Sequence, residues 1–198
     1  MASYPPAEQG KLVLVRHGAT SWSEEGRHTG RTDVPLNAQG QEQARRLVGS
    51  LSAYQFALVL TSPLSRAVET CALAGFGDRA EIDPDLAEWD YGEAEGRTTA
   101  ELRAERPGWT LWSDGVTGGE SAGEVGRRAD RVIERARAAG GDVLCVAHGH
   151  VGRVLAARWV GLPAVGGRLL AFDAGCVSVL GWEREVPVIE RWNEPPGR

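Results

Sequence analysis

A chain of 198 residues with 42% hydrophobic and 25% charged residues has the size and balance of one ordinary domain, which excludes a fibre, a coiled coil or a wholly disordered chain. Its 22 basic residues against 27 acidic ones give a net charge of −5, so there is no overall basic surface for general nucleic-acid binding, and a bound anion has to be held by a local cluster. Lys11 is the only lysine, so arginine carries nearly all the positive charge and a lone arginine says little.

Residues 1–10, with Pro5, Pro6 and Glu8, read as a disordered tail without a signal-peptide pattern, and residues 194–198 as a C-terminal tail; residues 11–193 form the expected single domain. Lys11–Val15 is a short apolar run, read as a buried strand and ended by Arg16-His17-Gly18. Ala44, Leu47, Val48 and Leu51 share a helical face. Ala57–Leu60 is a second strand, after which Ser62 and Pro63 read as the N-cap and first residue of a helix that carries Arg66 in its first turn. Thr98 with Glu101, and Ser121 with Glu124, have capping-box spacing, in which hydroxyl and carboxylate satisfy each other's backbone donors. A helical face of Val125, Ala129, Val132, Ile133 and Ala136 leads to a third strand, Asp142–Ala147, and then to His148-Gly149-His150. Val151, Val154, Leu155 and Trp159 make the last helical face, and Cys176–Leu180 and Val186–Ile189 two further strands. Strands alternating with helices predict an α/β fold, a three-layer α/β/α sandwich around a mainly parallel sheet. Cys71, Cys145 and Cys176 follow no disulfide or metal spacing and read as core residues in a reducing compartment, here the cytoplasm; no run is long enough to span a membrane.

In such sheets ligands bind beyond the carboxyl ends of the strands. Three of the four histidines, His17, His148 and His150, follow strands directly, each beside a glycine. One histidine at a strand end ordinarily hydrogen-bonds a loop; the same pattern at two ends points to a shared site. Arg66 near a helix N-terminus opposes the helix dipole, which is explained either by pairing with Glu69 or by an anion that guanidinium and helix end attract together. Glu88, in the aromatic stretch Glu88-Trp89-Asp90-Tyr91, is either a solvated loop carboxylate or a partly buried one kept protonated as an acid.

These segments together resemble the histidine phosphatase superfamily, which includes the cofactor-dependent phosphoglycerate mutases. The resemblance rests on Leu14-Val15-Arg16-His17-Gly18, Trp22 with Gly26 to Leu36, Thr61 to Ala67 and Ala147-His148-Gly149-His150, and runs from about Lys11 beyond Trp159. Glu88 to Gly96 is similar to a narrower branch, the actinobacterial acid phosphatases and fungal sedoheptulose-bisphosphatases. It implies a phosphoglycerate mutase-like fold in which His17 is the phosphoryl acceptor, Arg16, Arg66 and His148 surround the phosphate, and Glu88 protonates the leaving oxygen. Ser23, Thr29, Gly30, Trp89, Tyr91 and Gly149 fall where relatives contact phosphate or substrate; Ser23 stands where asparagine is common. The implied activity is a metal-independent phosphomonoesterase of acid phosphatase type, needing no cofactor, acting on small phosphorylated metabolites such as sugar phosphates or bisphosphates, with no nucleic-acid or membrane partner.

Three other readings compete. A mutase of this family carries a longer insertion between Glu88 and His148 and offers a lysine where Thr99 stands. A metal-dependent hydrolase would use His148 and His150 with His17, but no acidic cluster accompanies them and the arginines repel a cation. A phosphate-sensing module needs neither the acid nor the nucleophile. Arg27, His28, Arg31 and Arg97 are candidates for a second phosphate or for solvated loop charges, and Trp109 and Trp112 for a pocket mouth or for packing under a loop.

Overall fold

The computed structural model describes residues 9–197; residues 1–8, most of the segment read as an N-terminal tail, and residue 198 lie outside the described residues. Six strands form one sheet: β1 (Leu12–Arg16), β2 (Phe56–Thr61), β3 (Glu81–Ile82), β4 (Asp142–Ala147), β5 (Val177–Glu183) and β6 (Val186–Glu194). Their order is β3-β2-β4-β1-β5-β6. β1, β2, β3 and β4 are mutually parallel, β5 pairs antiparallel with β1 and β6 antiparallel with β5, so the sheet is mixed. The last strand extends to Glu194, one residue into the segment read as a tail.

The described residues form seven α-helices: α1 (Ser21–Glu24), α2 (Ala38–Leu51), α3 (Ser65–Leu73), α4 (Thr99–Glu105), α5 (Leu111–Asp114), α6 (Ala122–Ala138) and α7 (Gly149–Trp159). Alternation along the strands divides the core. Leu12, Leu14, Val143, Cys145 and Ala147 pack with α6 and α7, whereas Val13, Val15, Leu144 and Val146 pack with α2 and α3. Buried on both faces, these strands have the near-continuous apolar runs of a parallel sheet. Both capping boxes form, opening α4 and α6. All three cysteines are free and buried. No helix among the described residues is long and apolar enough to cross a membrane.

Two details differ from the sequence reading. Val48 is half exposed, outside the face that Ala44, Leu47 and Leu51 bury. The helix after β2 begins at Ser65 with Leu64 as its N-cap, not at Pro63 after a Ser62 cap; Ser62 Oγ instead accepts from both the Leu64 N–H and His148.

The loop after β1 lies against α2 at backbone contact. A Cβ on Gly40 would come within 2.1 Å of the Ala19 carbonyl oxygen, and one on Gly18 within 2.2 Å of the Gly40 carbonyl oxygen. Gly49, in the same helix, has nothing within 4 Å of that position. Helix propensity favours alanine over glycine by roughly 1 kcal/mol at both sites. Gly49→Ala is therefore expected to stabilise the protein by about that amount, and Gly40→Ala to destabilise it by about 1–3 kcal/mol through the clash. Urea denaturation of the two variants checks the opposite signs.

Candidate active site

Parallel pairing of β1 with β4 sets Arg16 opposite Ala147, so the next residues, His17 and His148, emerge side by side, and the His17 N–H donates to the Ala147 carbonyl at 3.0 Å. Their rings meet edge to face, with centroids 5.0 Å apart. A cavity of about 190 Å³ opens above His17. That volume lies below the roughly 300–1,000 Å³ of pockets for drug-sized ligands, and suits a small metabolite. Of the site residues that the family resemblance implied, Arg16, His17, Ser23, Thr29, Glu88, Tyr91 and Gly149 line it.

Hydrogen bonds fix the histidine tautomers. His17 Nδ1–H donates to the Gly18 carbonyl at 2.7 Å, which leaves the lone pair on Nε2. Burial first, then the charges of Arg16 and Arg66, hold the His17 pKa well below its ordinary 6.5, against an opposing pull from the Gly18 bond. Arg66 Nε donates to His148 Nδ1 at 3.2 Å, so His148 carries its proton on Nε2 and donates it to Ser62 Oγ at 2.6 Å. Burial, reinforced by Arg66, lowers the His148 pKa as well. Arg66 and His148 are both fully buried and form a layer behind His17 without lining the cavity. The remaining Arg66 donors go to the carbonyls of Thr29, Gly30 and Thr32 at 3.0–3.1 Å.

Arg16 is bonded differently. Its Nη1 donates to the Phe172 carbonyl, but Nε is buried without any hydrogen-bond partner, and no carboxylate pairs with this guanidinium among the described residues. A buried donor left this way is costly unless a ligand fills the gap. Gly149 makes room for it, since a Cβ there would lie 3.3 Å from the guanidinium carbon. Across the cavity the Glu88 carboxylate does not sit in the apolar pocket expected from its aromatic neighbours. It accepts the backbone N–H groups of Trp89, His150 and Val151 at 2.9–3.0 Å, two of them from the first turn of α7.

The other expected residues divide. Ser23 Oγ closes the cap of α1 with Thr20, and Thr29 Oγ1 donates to the Arg27 carbonyl. Gly30 lies outside the cavity; a Cβ there would strike Glu95 and the Trp89 carbonyl at 2.6 Å. Trp89 is fully buried, donating Nε1 to the Glu120 carbonyl and packing edge-on against Trp112. Trp109 and Trp112 pack beneath the wall, against His28 and His150 respectively. Arg27 pairs with Glu25, Arg31 with Asp90 and Arg97 with Glu105, so these three charges are already compensated. Among the described residues no group of three or more histidine, cysteine, aspartate or glutamate side chains is arranged to hold a metal.

His150, Arg153 and Phe172 complete the lining, with Gly26, Arg27, His28 and Thr99. Tyr91 Oη is 2.6 Å from His150 Nδ1; burial raises the phenol pKa and lowers that of the imidazole, so the two neutral groups share a hydrogen bond. Arg153 lies over the Trp112 ring, 4.8 Å from its centroid, and burial lowers its pKa. His150 had a sequence signal in the glycine-flanked histidine pair. Arg153, one turn along a helix, and Phe172, in a segment without a motif, had none.

Comparison with known proteins agrees with this geometry. The family model of the histidine phosphatase superfamily (branch 1) matches residues 12–195. An acid phosphatase of Mycobacterium tuberculosis is 40% identical over 89% of this chain and 88% of its own length. Sedoheptulose 1,7-bisphosphatase of Saccharomyces cerevisiae is 35% identical over 79% of this chain and 70% of its own. The solved structure of an open-reading-frame product of M. tuberculosis superimposes with a TM-score of 0.90, at 36% identity, over 95% of this chain and 99% of that one. The chain thus belongs to branch 1 of the histidine phosphatase superfamily and is a phosphatase enzyme with a phosphoglycerate mutase-like fold.

Proposed function

We propose that the protein hydrolyses small phosphate monoesters of the sugar-phosphate class without a metal, through a phosphohistidine at His17 Nε2. The observation that carries this reading is the buried, unpartnered Nε of Arg16 beside a histidine whose reactive nitrogen holds a lone pair. A phosphoryl group entering the cavity supplies the missing acceptor, and Arg16 offsets the charge on its oxygens. His17 Nε2 attacks phosphorus, the bond to the ester oxygen breaks, and Glu88 delivers a proton to that oxygen. Water then attacks the phosphohistidine, its proton passes to the Glu88 carboxylate, and phosphate leaves.

Arg66 and His148 act from behind in this scheme. Arg66 adds positive charge next to His17, and His148 buttresses the His17 ring. The neutral Tyr91–His150 pair offers polar groups and Arg153 a guanidinium towards the organic part of the substrate. A sugar-phosphate substrate is supported by the small polar cavity and by the names of the relatives. Hydrolysis is favoured over mutase chemistry because Thr99, on the cavity wall, offers no charge to hold a second substrate group.

Phosphate release from an aryl phosphate, phosphoglycerates and sugar mono- and bisphosphates, in excess chelator, tests the reading. His17→Ala is expected to lower turnover by more than about 10⁴-fold; an active variant, or wild-type activity abolished by chelation and restored by zinc, overturns it. Glu88→Gln is expected to lower kcat/KM, which reports the phosphorylation step, by about 10²–10⁴-fold for alkyl phosphates and far less for p-nitrophenyl phosphate, whose leaving group needs no proton.

The pH dependence follows from His17. A pKa held below 6.5 keeps the imidazole of the free enzyme neutral in mildly acidic solution, so the acid limb of kcat/KM is expected to have its midpoint below pH 6.5. A limb of kcat/KM centred at or above pH 6.5 contradicts the neutral nucleophile.

A further inference from the structure

Arg128 lies outside the cavity, in the middle of α6, yet it is nearly buried and all five of its N–H donors are used. Nη1 donates to the carbonyls of Asp85 and Ala87, each at 2.7 Å, and Nη2 to the carbonyl of Glu88 at 3.2 Å. Nε and Nη2 also form a fork on Glu120, with both bonds 2.8 Å long. Glu120 in turn accepts the Asp90 N–H on its carboxylate and the Trp89 indole N–H on its carbonyl, while its own N–H donates to the Asp90 carbonyl. Every residue from Ala87 to Asp90 is therefore bound to this pair. Three of these carbonyls converge on one guanidinium, which α-helix or β-sheet pairing would not provide for a loop of this kind.

From this geometry we infer that the Arg128–Glu120 pair is a positioning device that fixes the backbone of the acid-bearing loop and so holds the Glu88 carboxyl group at the leaving oxygen. The inference rests on the assignment of Glu88 as the proton donor. The Glu88 side chain is tied to the first turn of α7 while its main chain is tied to α6, so the carboxyl group is located from both ends. The forked pair neutralises itself and adds no net charge to the cavity, which separates its role from that of Arg16. Lysine at position 128 would keep the charge but lacks the fork, and cannot bridge three carbonyls and a carboxylate together.

The test measures kcat and KM for p-nitrophenyl phosphate and glycerol 3-phosphate in Arg128→Lys, Glu120→Gln and Glu88→Gln, with thermal unfolding of each. For Arg128→Lys the alkyl-to-aryl ratio of kcat/KM is expected to fall at least tenfold, with KM for glycerol 3-phosphate changed less than threefold. Glu120→Gln, which keeps shape and loses charge, is expected to shift the ratio the same way and serves as the deciding variant if Arg128→Lys does not fold. Folded variants that lose both substrates equally, or lose neither, overturn the inference while selective loss in Glu88→Gln leaves the acid assignment standing. Absence of selective loss in Glu88→Gln overturns both.

Discussion

Buried positive charge is the constraint around which this molecule is organised. Arg66 has no exposed side-chain surface, and Asp33, 4.0 Å away and half exposed, is its nearest carboxylate partner. Removing a guanidinium from water is costly, and weak Coulombic pairing at that distance does not offset it. Carbonyls do so instead. The segment from Thr29 to Thr32 turns three of them towards Arg66, and His148 accepts the remaining bond. The requirement propagates: His148 must accept through Nδ1, so Nε2 must donate, and Ser62 Oγ receives that bond together with the Leu64 N–H. Arg16 is the counterpart left incomplete, and its unpartnered nitrogen is where an anion gains most.

The same charges set the state of the histidines. Burial and two neighbouring guanidiniums disfavour a third positive charge on His17, while the Gly18 carbonyl selects which nitrogen keeps the hydrogen. A neutral imidazole with a defined lone pair thus arises from packing and one backbone bond, without a carboxylate behind the ring. Tyr91 and His150 form a second neutral pair on the wall. Beside His17, Arg16 presents a guanidinium that no carboxylate neutralises among the described residues, an arrangement that favours an anionic phosphate there.

The regular elements were legible because each rests on a local rule. Apolar runs marked five of the six strands, and reciprocal hydroxyl and carboxylate side chains marked the starts of α4 and α6. β3, with two exposed residues, carries no such run. The site was legible only where residues follow strands: Arg16, His17 and His148 stand at the ends of β1 and β4, and the ligand rule for parallel sheets points there. Gly30 and Trp89 resembled substrate contacts, yet their surroundings account for them structurally, one by a missing Cβ between Glu95 and Trp89, the other by a fully buried indole. Arg153 and Phe172 reach the cavity only through the way α7 and the segment before β5 pack, and long-range packing leaves no periodic trace. Arg128 is hidden for a related reason. It falls next to the apolar stripe of α6, where sequence pattern cannot tell a snorkelling arginine from one that holds a distant loop.

One short stretch joins these constraints. β4 ends at Ala147, whose carbonyl receives the His17 N–H; His148 then buttresses His17, Gly149 gives space to Arg16, and the N–H groups of His150 and Val151 hold Glu88. Five successive residues thus touch the nucleophile candidate, the anion-facing arginine and the acid candidate. A strand-to-helix turn suits this task because its donors are unpaired within the helix and its geometry is fixed by the sheet on one side and α7 on the other. The relative positions of His17 and Glu88, distant in sequence, are therefore governed by the register of β1 against β4. A displacement of that pairing would move both reacting groups together with respect to the phosphate, which is why the β1 and β4 strands, central in the sheet and buried on both faces, are the appropriate place to anchor them.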